Sequence, residues 1–354
     1  MSQSSVSKHE IALRARNSTK LQMIFLFNFP TARPILKNRV EFRNIHIDKK
    51  IECITMKRKI KIWLECFRLR TLPVSLSGVV IAIGLAKFHG HFKWVPALLC
   101  LVFALLAQIV SNTANEYFDY LQGTDKPGRV GPRRGVTEGD IKPATLRNVT
   151  FGLLTLACAV GCCLIPYGGW WLLPVGVVIA LAALAYSTGP YPLSYHGLGE
   201  LTVFIFFGLV PVNLTYYVQS LRFDPTVLLM SITTGLLAVN VLLINNYRDV
   251  EDDREAGKKT SVVIFGRKAA AFSYLLNGYT GMAVLAVFWL MIAVLKVLPV
   301  WTLVIPVIYL GLHTTTWYKL RHRDGAALNP LLGETARNML IFTLLLTIVL
   351  IIYA

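Results

Sequence analysis

Two short polar patches interrupt an otherwise apolar chain, and both have the same internal spacing. In residues 112–119 and again in residues 246–253, an Asn is followed three residues later by Asn or Asp, and four residues after that by Asp. On a helix, steps of three and four residues keep these side chains on one face. Amide and carboxylate oxygens, one or two from each helix, are suitable ligands for Mg²⁺. The spacing therefore predicts a divalent metal site.

A basic loop rich in Gly and Pro follows each patch, at residues 123–135 and 254–261. Gly and Pro allow a ligand to approach the backbone closely, and clustered cations beside carboxylates are suited to a diphosphate. Arg offers two parallel donors and Lys offers a point charge. The candidate diphosphate-binding residues are Lys126, Arg129, Arg134, Arg248, Lys258 and Lys259. No His or Cys lies near either patch, which disfavours zinc.

The elements that must position these residues are membrane helices. The 354-residue chain is 55% hydrophobic and 16% charged, whereas soluble domains are about 25% charged. Several apolar runs reach the roughly 20 residues that a bilayer span requires. The fold class is therefore an all-α, polytopic membrane protein. The nine predicted spans lie near residues 71–88, 94–118, 144–166, 170–187, 198–218, 226–248, 269–294, 299–318 and 336–353.

The distribution of Lys and Arg predicts the orientation. These residues gather in the segments on the side of the N-terminus, and the opposite segments carry only Lys87, Lys93, Arg222 and Lys296. The positive-inside rule predicts that the N-terminus and both patches lie on the cytoplasmic side of the membrane. The expected location is the inner (cytoplasmic) membrane of the cell. The same rule, with attraction to anionic lipid, explains the net charge of +17 without a nucleic-acid partner.

Residues 1–55 differ in composition from the rest of the chain. They are polar and basic, and their short apolar stretch at residues 23–30 cannot span a bilayer. We expect a disordered extension, a transit peptide or a start at Met56, with residues 56–354 as the functional domain. Residues 57–70 have the pattern of an interfacial helix.

The two patches resemble the two aspartate-rich motifs of the UbiA superfamily of intramembrane prenyltransferases. The matching segments are Asn115-Glu-Tyr-Phe-Asp119 with Asp125, and Asp249-Val-Glu-Asp-Asp253. Within the superfamily, the chain is most similar to the branch that prenylates 1,4-dihydroxy-2-naphthoate. The segments that carry this similarity are residues 68–73, 112–119, 123–126, 131–135, 189–193, 197–200 and 245–254. The resemblance covers about residues 57–354.

The resemblance implies nine transmembrane helices around a central cavity, with Mg²⁺ bridging the two motifs and a polyprenyl diphosphate. The implied metal ligands are Asn115, Asp119, Asp249 and Asp253, and Asp119 and Asp249 are implied to be essential for catalysis. Further candidate members of the site are Asn112, Asp125 and Asn246. Asp125 lies six residues after Asp119, where the stricter family pattern has four, so its role stays open.

The implied reaction transfers a polyprenyl group from polyprenyl diphosphate to 1,4-dihydroxy-2-naphthoate with decarboxylation, which gives demethylmenaquinone. The implied partners are these two substrates and membrane lipid. Aromatic side chains of the fifth span are expected to line the isoprenoid tail and shield the allylic cation. They are Phe204, Phe206, Phe207, Tyr216 and Tyr217.

Two other functions stay open from the sequence. A related enzyme could prenylate another aromatic acceptor, such as 4-hydroxybenzoate. A transporter could use the acidic side chains as an ion path. Transporters, however, usually bind their substrates near the bilayer midplane, whereas each patch here lies at the end of its own predicted span, on the same face of the membrane.

Overall fold

The computed structural model describes residues 56–293 and 298–354, so the expectations for residues 1–55 lie outside the described residues. The chain divides into the units Met1–Ile62 and Trp63–Ala354. In the first unit, residues 56–62 are helical. The helices of the second unit are α1 Leu72–Phe88, α2 Trp94–Leu121, α3 Pro143–Cys162, α4 Leu172–Ala185, α5 Gly199–Ser220, α6 Pro225–Arg248, α7 Val250–Glu255, α8 Ser261–Ala293, α9 Val304–Arg321 and α10 Asn329–Ile352.

Eight helices in the described part of the chain are long and apolar enough to cross a membrane. They are α1, α2, α3, α5, α6, α8, α9 and α10. The spans formed by α1, α3, α9 and α10 each include a short helical turn next to the helix. The remaining predicted span, at residues 170–187, is the 14-residue α4. At 1.5 Å per residue, α4 is about 21 Å long, shorter than a hydrocarbon core of about 30 Å. The prediction of an all-helical, polytopic membrane protein is confirmed, and its count of nine is approximate.

Two helices begin earlier than their apolar runs predicted. α8 begins at Ser261, but Gly266 leaves helical geometry at φ 82° and ψ 166° and kinks the helix near the predicted start. α10 begins at Asn329, seven residues before the predicted start, because polar residues in its first turns have partners. There, Glu334 accepts a hydrogen bond from Thr316 Oγ1 and one from Lys319 Nζ, both at 2.8 Å.

α6 is the most enclosed long helix, and small residues bring its neighbour close. Residues Phe204–Leu209 of α5 form a π-helical segment that packs on α6. Gly208 in this segment faces Gly235 of α6, and a Cβ atom added to Gly208 would lie 2.4 Å from the Gly235 Cα. Close backbone approach at small residues is a usual packing mode of membrane helices. This contact fixes α5 against the helix that carries the second patch.

Candidate active site

The first patch lies on the last turns of α2. Asn115 and Asp119 are one turn apart, and Asn115 Nδ2 donates to Asp119 Oδ2 at 3.1 Å. Asn115 Oδ1 accepts from Arg134 Nη2 at 3.3 Å and also from Arg68 Nη2. The predicted common face of the helix is therefore present for this pair, and two guanidinium groups converge on it.

The Asp119 carboxylate is 1% exposed and is bonded by groups from distant parts of the chain. Oδ1 accepts from the Tyr195 hydroxyl at 3.0 Å, and Oδ2 accepts from Lys258 Nζ at 3.3 Å. The Lys258 ammonium also lies 4.7 Å from the centre of the Tyr195 ring, a cation–π distance. Lys258 and Tyr195 thus give each oxygen of the buried Asp119 side chain a hydrogen-bond partner.

The second patch is not on one regular helix, which corrects the prediction from spacing. α6 ends at Arg248, Asp249 has φ −92° and ψ 10°, and α7 begins at Val250. The backbone still turns in the same sense, because Asp253 N–H donates to Asp249 O at 2.8 Å. A regular helix therefore does not run from Asn246 to Asp253, and the spacing of three and four residues does not predict this break.

Two arginines surround the Asp249 carboxylate. Arg248 Nε donates to Oδ1 at 2.6 Å, and Arg248 Nη2 donates to Oδ2 at 2.7 Å. Arg129 Nη2 donates to Oδ2 at 2.7 Å from the loop after α2. Burial raises the pKa of Asp249, but the hydrogen bonds and charges of these two guanidinium groups outweigh burial and hold the pKa below its usual value.

Asp125 joins the site although its sequence spacing differs from the family pattern. Arg129 Nη1 donates to Asp125 Oδ1 at 2.7 Å, and Arg134 Nε lies 3.1 Å from Asp125 Oδ2. Burial raises the pKa of Asp125 and the charge of Arg129 opposes that rise. Arg129 therefore links Asp125 to Asp249, and its own pKa is raised because these two carboxylates outweigh the effect of burial.

Besides the ion pairs within each half, some cations of each basic loop pair with carboxylates of the other half. Arg129 of the first loop contacts Asp249, and Lys258 of the second loop contacts Asp119. At the exposed rim, Lys126 of the first loop pairs with Glu255 of the second at 2.8 Å. We call these three contacts the crosswise ion pairs. They bring the ends of α2 and α6 together.

Two of the predicted diphosphate-binding cations do not line the cavity. Arg248 is buried against Asp249 and Asn245, where Nη2 donates to Asn245 Oδ1 at 2.8 Å. Lys259 has an exposed side chain, and its backbone N–H donates to Tyr195 O at 2.8 Å. The four that do line it are Lys126, Arg129, Arg134 and Lys258.

The first Asn of each patch fixes a neighbouring segment. Asn112 Nδ2 donates to Phe67 O at 3.0 Å, and its Oδ1 accepts from Gln108 Nε2 at 3.2 Å. Asn246 Nδ2 donates to Glu200 Oε1 at 3.1 Å. Both line the cavity, but their amide groups bond the start of the bundle and α5 respectively.

One cavity of about 820 Å³ contains these polar groups at one end and apolar side chains along the rest. Its apolar wall comes from α1 to α6 and includes Phe103, Ala157, Leu181 and Leu214. Of the expected aromatic residues, Phe206 and Phe207 line it. By contrast, Tyr216 bonds His89 Nδ1 at 2.8 Å and Tyr217 bonds Trp171 Nε1 at 3.2 Å. A charged mouth above an apolar chamber suits an amphiphilic ligand with an anionic head.

The donors at the mouth are chemically suited to Mg²⁺. Within residues 56–293 and 298–354, no three Asp, Glu, His or Cys side chains are grouped so that they alone could hold a metal. Burial raises the pKa of Asp253 to about 7, and the charges of Asp249 and Asp119 add to this rise while Lys258 and Arg129 oppose it. A divalent ion would stabilise the ionised form of this carboxylate. Such donors fit an ion that keeps waters and takes its other ligands from a substrate.

Two site residues were missed by sequence reasoning about the patches. Arg68 precedes the first helical turn in a left-handed conformation, φ 52° and ψ 55°, and burial lowers its pKa. Tyr195 lies in the loop between α4 and α5, where burial and the charge of Asp119 raise its pKa. Arg68 is 47 residues from Asn115 and Tyr195 is 76 residues from Asp119, so no local spacing relates them.

A helical membrane bundle with an acidic and basic cavity mouth and an apolar interior defines a class of membrane proteins suited to a lipid-like anion. The sequence model of the UbiA prenyltransferase family matches residues 75–346. The chain belongs to this family.

Individual relatives support the family assignment. The protein of Escherichia coli (strain K12) named 1,4-dihydroxy-2-naphthoate octaprenyltransferase is 34% identical over 289 residues, 80% of this chain and 92% of that one. The protein of the same name from Mycobacterium tuberculosis (strain ATCC 25618 / H37Rv) is 35% identical over 283 residues, 80% and 94% of the two chains. The solved structure of a UbiA homolog from Archaeoglobus fulgidus bound to GPP and Mg²⁺ has a TM-score of 0.59 at 16% identity, covering 82% of this chain and 99% of that one. This last likeness concerns the fold.

Proposed function

We propose that the protein transfers a polyprenyl group from polyprenyl diphosphate to 1,4-dihydroxy-2-naphthoate, with release of diphosphate and CO₂. The product is demethylmenaquinone in its quinol form. The observation that carries this proposal is the cavity, whose charged mouth and apolar chamber match the two ends of the prenyl substrate. The names of the relatives from Escherichia coli and Mycobacterium tuberculosis support the naphthoate acceptor.

The mouth would bind and orient the diphosphate. Arg129, Arg134 and Lys258 each line the cavity and each already contacts a carboxylate. When a diphosphate enters, these cations can exchange a carboxylate oxygen for a phosphate oxygen without leaving the mouth. Charge-assisted hydrogen bonds of this kind are about twice as strong as neutral ones.

Mg²⁺, held by Asn115, Asp119, Asp249 and Asp253, would neutralise negative charge on the leaving diphosphate. The protein would place the carbon–oxygen bond to be broken at the boundary between the charged mouth and the apolar chamber. Loss of water from this region strengthens the electrostatic effect of Arg129 and Lys258 on the developing charge. Phe206 and Phe207 would exclude water from the allylic cation.

The acceptor step joins the cation to the electron-rich ring at its carboxyl-bearing carbon. The carboxylate then leaves as CO₂, and the electron pair of the broken bond returns to the ring. The orientation that this proposal requires has the mouth on the cytoplasmic side of the inner membrane. The low positive charge of the opposite segments supports that orientation.

The test is an assay of the purified protein in lipid vesicles with polyprenyl diphosphate and Mg²⁺. We expect prenylated product and labelled CO₂ from carboxyl-labelled 1,4-dihydroxy-2-naphthoate, and little product from 4-hydroxybenzoate. Preferential prenylation of 4-hydroxybenzoate, or transfer without CO₂ release, would overturn the proposed acceptor. Absence of any Mg²⁺-dependent consumption of polyprenyl diphosphate would overturn prenyl transfer itself.

A further inference from the structure

Glu200 is a carboxylate of the cavity wall that takes no part in the crosswise ion pairs. Glu200 lies in the first turn of α5, is half-buried and lines the cavity. Its partners are two neutral donors, Asn246 Nδ2 at 3.1 Å and the Ser261 hydroxyl. A carboxylate in an apolar cavity usually has a cation or a bound metal as its partner. Among the described residues, Glu200 has no cation as its partner. Ion pairing therefore does not explain why a carboxylate lies at this position in the cavity wall.

The two oxygens of this carboxylate have different surroundings. Asn246 and Ser261 both donate to Oε1 and hold it in place. Oε2 accepts no hydrogen bond from the described residues, and it is also not among their fully buried atoms that lack a partner. Since Glu200 is part of the cavity wall, Oε2 is the oxygen that a ligand can reach. One fixed oxygen and one open oxygen suit a group that accepts a proton from a ligand.

Glu200 is also next to the diphosphate end of the cavity. A Cβ atom added to Gly199 would lie 3.5 Å from the Tyr186 hydroxyl, so this hydroxyl lies beside the backbone that carries Glu200. The following residue, Ser187, accepts a hydrogen bond from Asn115 Nδ2 at 2.9 Å. Tyr186 therefore lies between Glu200 and the first patch.

We infer that Glu200 is the acid–base residue of the acceptor step, and that its Oε2 contacts a ring hydroxyl of the aromatic acceptor. This inference rests on the proposed function. As the new carbon–carbon bond forms, the hydroxyl proton passes to Oε2 and the ring carbon–oxygen bond becomes a carbonyl. The bond between prenyl carbon and diphosphate breaks, and its electron pair leaves with the diphosphate.

The proton returns in the second half of the step. When the carboxylate leaves as CO₂, the electron pair of its bond to the ring restores the aromatic system and the carbonyl oxygen takes the proton back from Glu200. Glu200 ends in its starting state, and no oxidant or reductant is used. Asn246 and Ser261 are positioning residues, because they hold Oε1 and so direct Oε2 into the cavity.

The experiment separates ionisation of the prenyl substrate from the acceptor step. A polyprenyl diphosphate with ¹⁸O in the bridging position is incubated with Mg²⁺, acceptor and either the parent chain or Glu200→Gln. Ionisation and return move the label to non-bridging positions. We expect Glu200→Gln to lower transfer at least about 100-fold, as for loss of a general base, while label scrambling persists. Unchanged transfer, or scrambling lost in proportion to transfer, would overturn the inference.

Acceptor acidity supplies a second readout. An acceptor analogue whose ring hydroxyl is already ionised at the assay pH does not need the base, so the deficit of Glu200→Gln relative to the parent chain should shrink. An equal deficit for both acceptors would contradict the proton-transfer role. If Glu200→Gln does not fold, Ser261→Ala provides the comparison. Its loss of transfer rate relative to the parent chain should be smaller, and it should also shrink with the ionised acceptor analogue.

The matched control is Glu334→Gln on α10. Glu334 is also a membrane carboxylate with a hydroxyl donor, Thr316, but it does not line the cavity. We expect this variant to keep transfer within about twofold, the usual range for substitutions that leave the site untouched. If the parent chain itself fails to prenylate the naphthoate, the proposed function fails. If only the Glu200 comparison fails, the proposed function stands.

Discussion

Arg129 Nη2 and Asp249 Oδ2 are 2.7 Å apart, although 120 residues separate them in the chain. The same guanidinium group reaches Asp125 through Nη1 at 2.7 Å. One cation from the first basic loop thus bridges the two acidic patches. Together with Lys258 and Asp119 on the other side, it makes the two patches halves of a single site.

Arg129→Gln should weaken binding of the prenyl diphosphate. The variant removes a cation that lines the cavity and leaves two buried carboxylates without their shared donor. Loss of a hydrogen bond to a charged group costs about 1.5–3 kcal/mol, which corresponds to a rise of about 10- to 150-fold in the KM for polyprenyl diphosphate. Steady-state kinetics with varied prenyl substrate measures this effect.

Arg133→Gln is the control for Arg129→Gln. Arg133 is in the same loop, but it pairs with Asp140 and does not line the cavity. Its KM should stay near that of the parent chain. Equal effects of the two substitutions would show that loop charge in general, rather than the bridge to Asp249, determines binding. Arg129→Lys should not restore the parent KM, because a single ammonium group lacks the two-pronged geometry.

Asp119→Asn and Asp249→Ala should both abolish prenyl transfer but differ in stability. Asp249→Ala leaves the Arg248 guanidinium, 1% exposed in its side chain, without its carboxylate. Removing one partner of a buried pair costs about 3–5 kcal/mol, so this variant should unfold at a clearly lower temperature. Asp119→Asn keeps an oxygen for Tyr195, and its cationic partner Lys258 is less enclosed than Arg248, with 12% of its side chain exposed. This variant should therefore lose less stability than Asp249→Ala.

The measurements for this pair are product formation and thermal unfolding in the same detergent. Retained turnover in either variant would contradict the assignment of these carboxylates to the Mg²⁺ and diphosphate site. Equal unfolding temperatures would show that Arg248 finds another partner, for example Asn245, to which Nη2 already donates.

Mg²⁺ and inorganic pyrophosphate should bind together more tightly than either binds alone. In the structure the carboxylates of Asp119 and Asp249 are already paired with cations, so a metal alone must compete with those cations. A pyrophosphate alone must likewise compete with the carboxylates. When both are present, the cations would pair with the phosphate oxygens, and Asp119 and Asp249 would be available to hold the metal.

Thermal unfolding of the purified protein tests this coupling without any turnover. The increase in unfolding temperature with Mg²⁺ and pyrophosphate together should exceed the sum of the two separate increases, because only bound ligand stabilises the folded state. Additive shifts would contradict the exchange of partners. Chelation of Mg²⁺ should return the protein to the small shift of pyrophosphate alone.

Gly208→Ala should destabilise the bundle. The added methyl group would lie 2.4 Å from the Gly235 Cα, and backbone atoms on α6 cannot rotate away. Overpacking of this kind costs about 1–3 kcal/mol. Gly311→Ala on α9 is the matched control, since a Cβ atom there has nothing within 4 Å. Thermal unfolding should fall for the first variant and stay level or rise for the second.

The sequence predicts the helices and the location of the patches well, because both depend on local patterns. Apolar runs define α2 and α6 to within a few residues, and the spacing from Asn115 to Asp119 correctly places both on one helical face. The start of α10 cannot be predicted from apolar runs, because its first turns are polar and depend on hydrogen bonds between Glu334 and α9.

The pairing of side chains within the site is less accessible from sequence. Arg248 and Lys258 are similar cations beside the same motif, yet one is buried against Asp249 and the other reaches Asp119. Nothing local distinguishes them, because the result depends on where α6 ends and how the following loop folds back. The contribution of Tyr195 depends on the same loop, through the backbone bond from Lys259.

The crosswise ion pairs also have a consequence for the order of synthesis and membrane insertion. Asp119 leaves the ribosome 139 residues before Lys258, and Arg129 leaves 120 residues before Asp249. During that interval Asp119 lacks Lys258 and Arg129 has only its nearby partner Asp125, and an unpaired charge is costly inside a bilayer. The end of α2 must therefore stay in contact with interfacial water until α6 and the loop after α7 arrive. Burial of the first patch is a late event in assembly of the bundle.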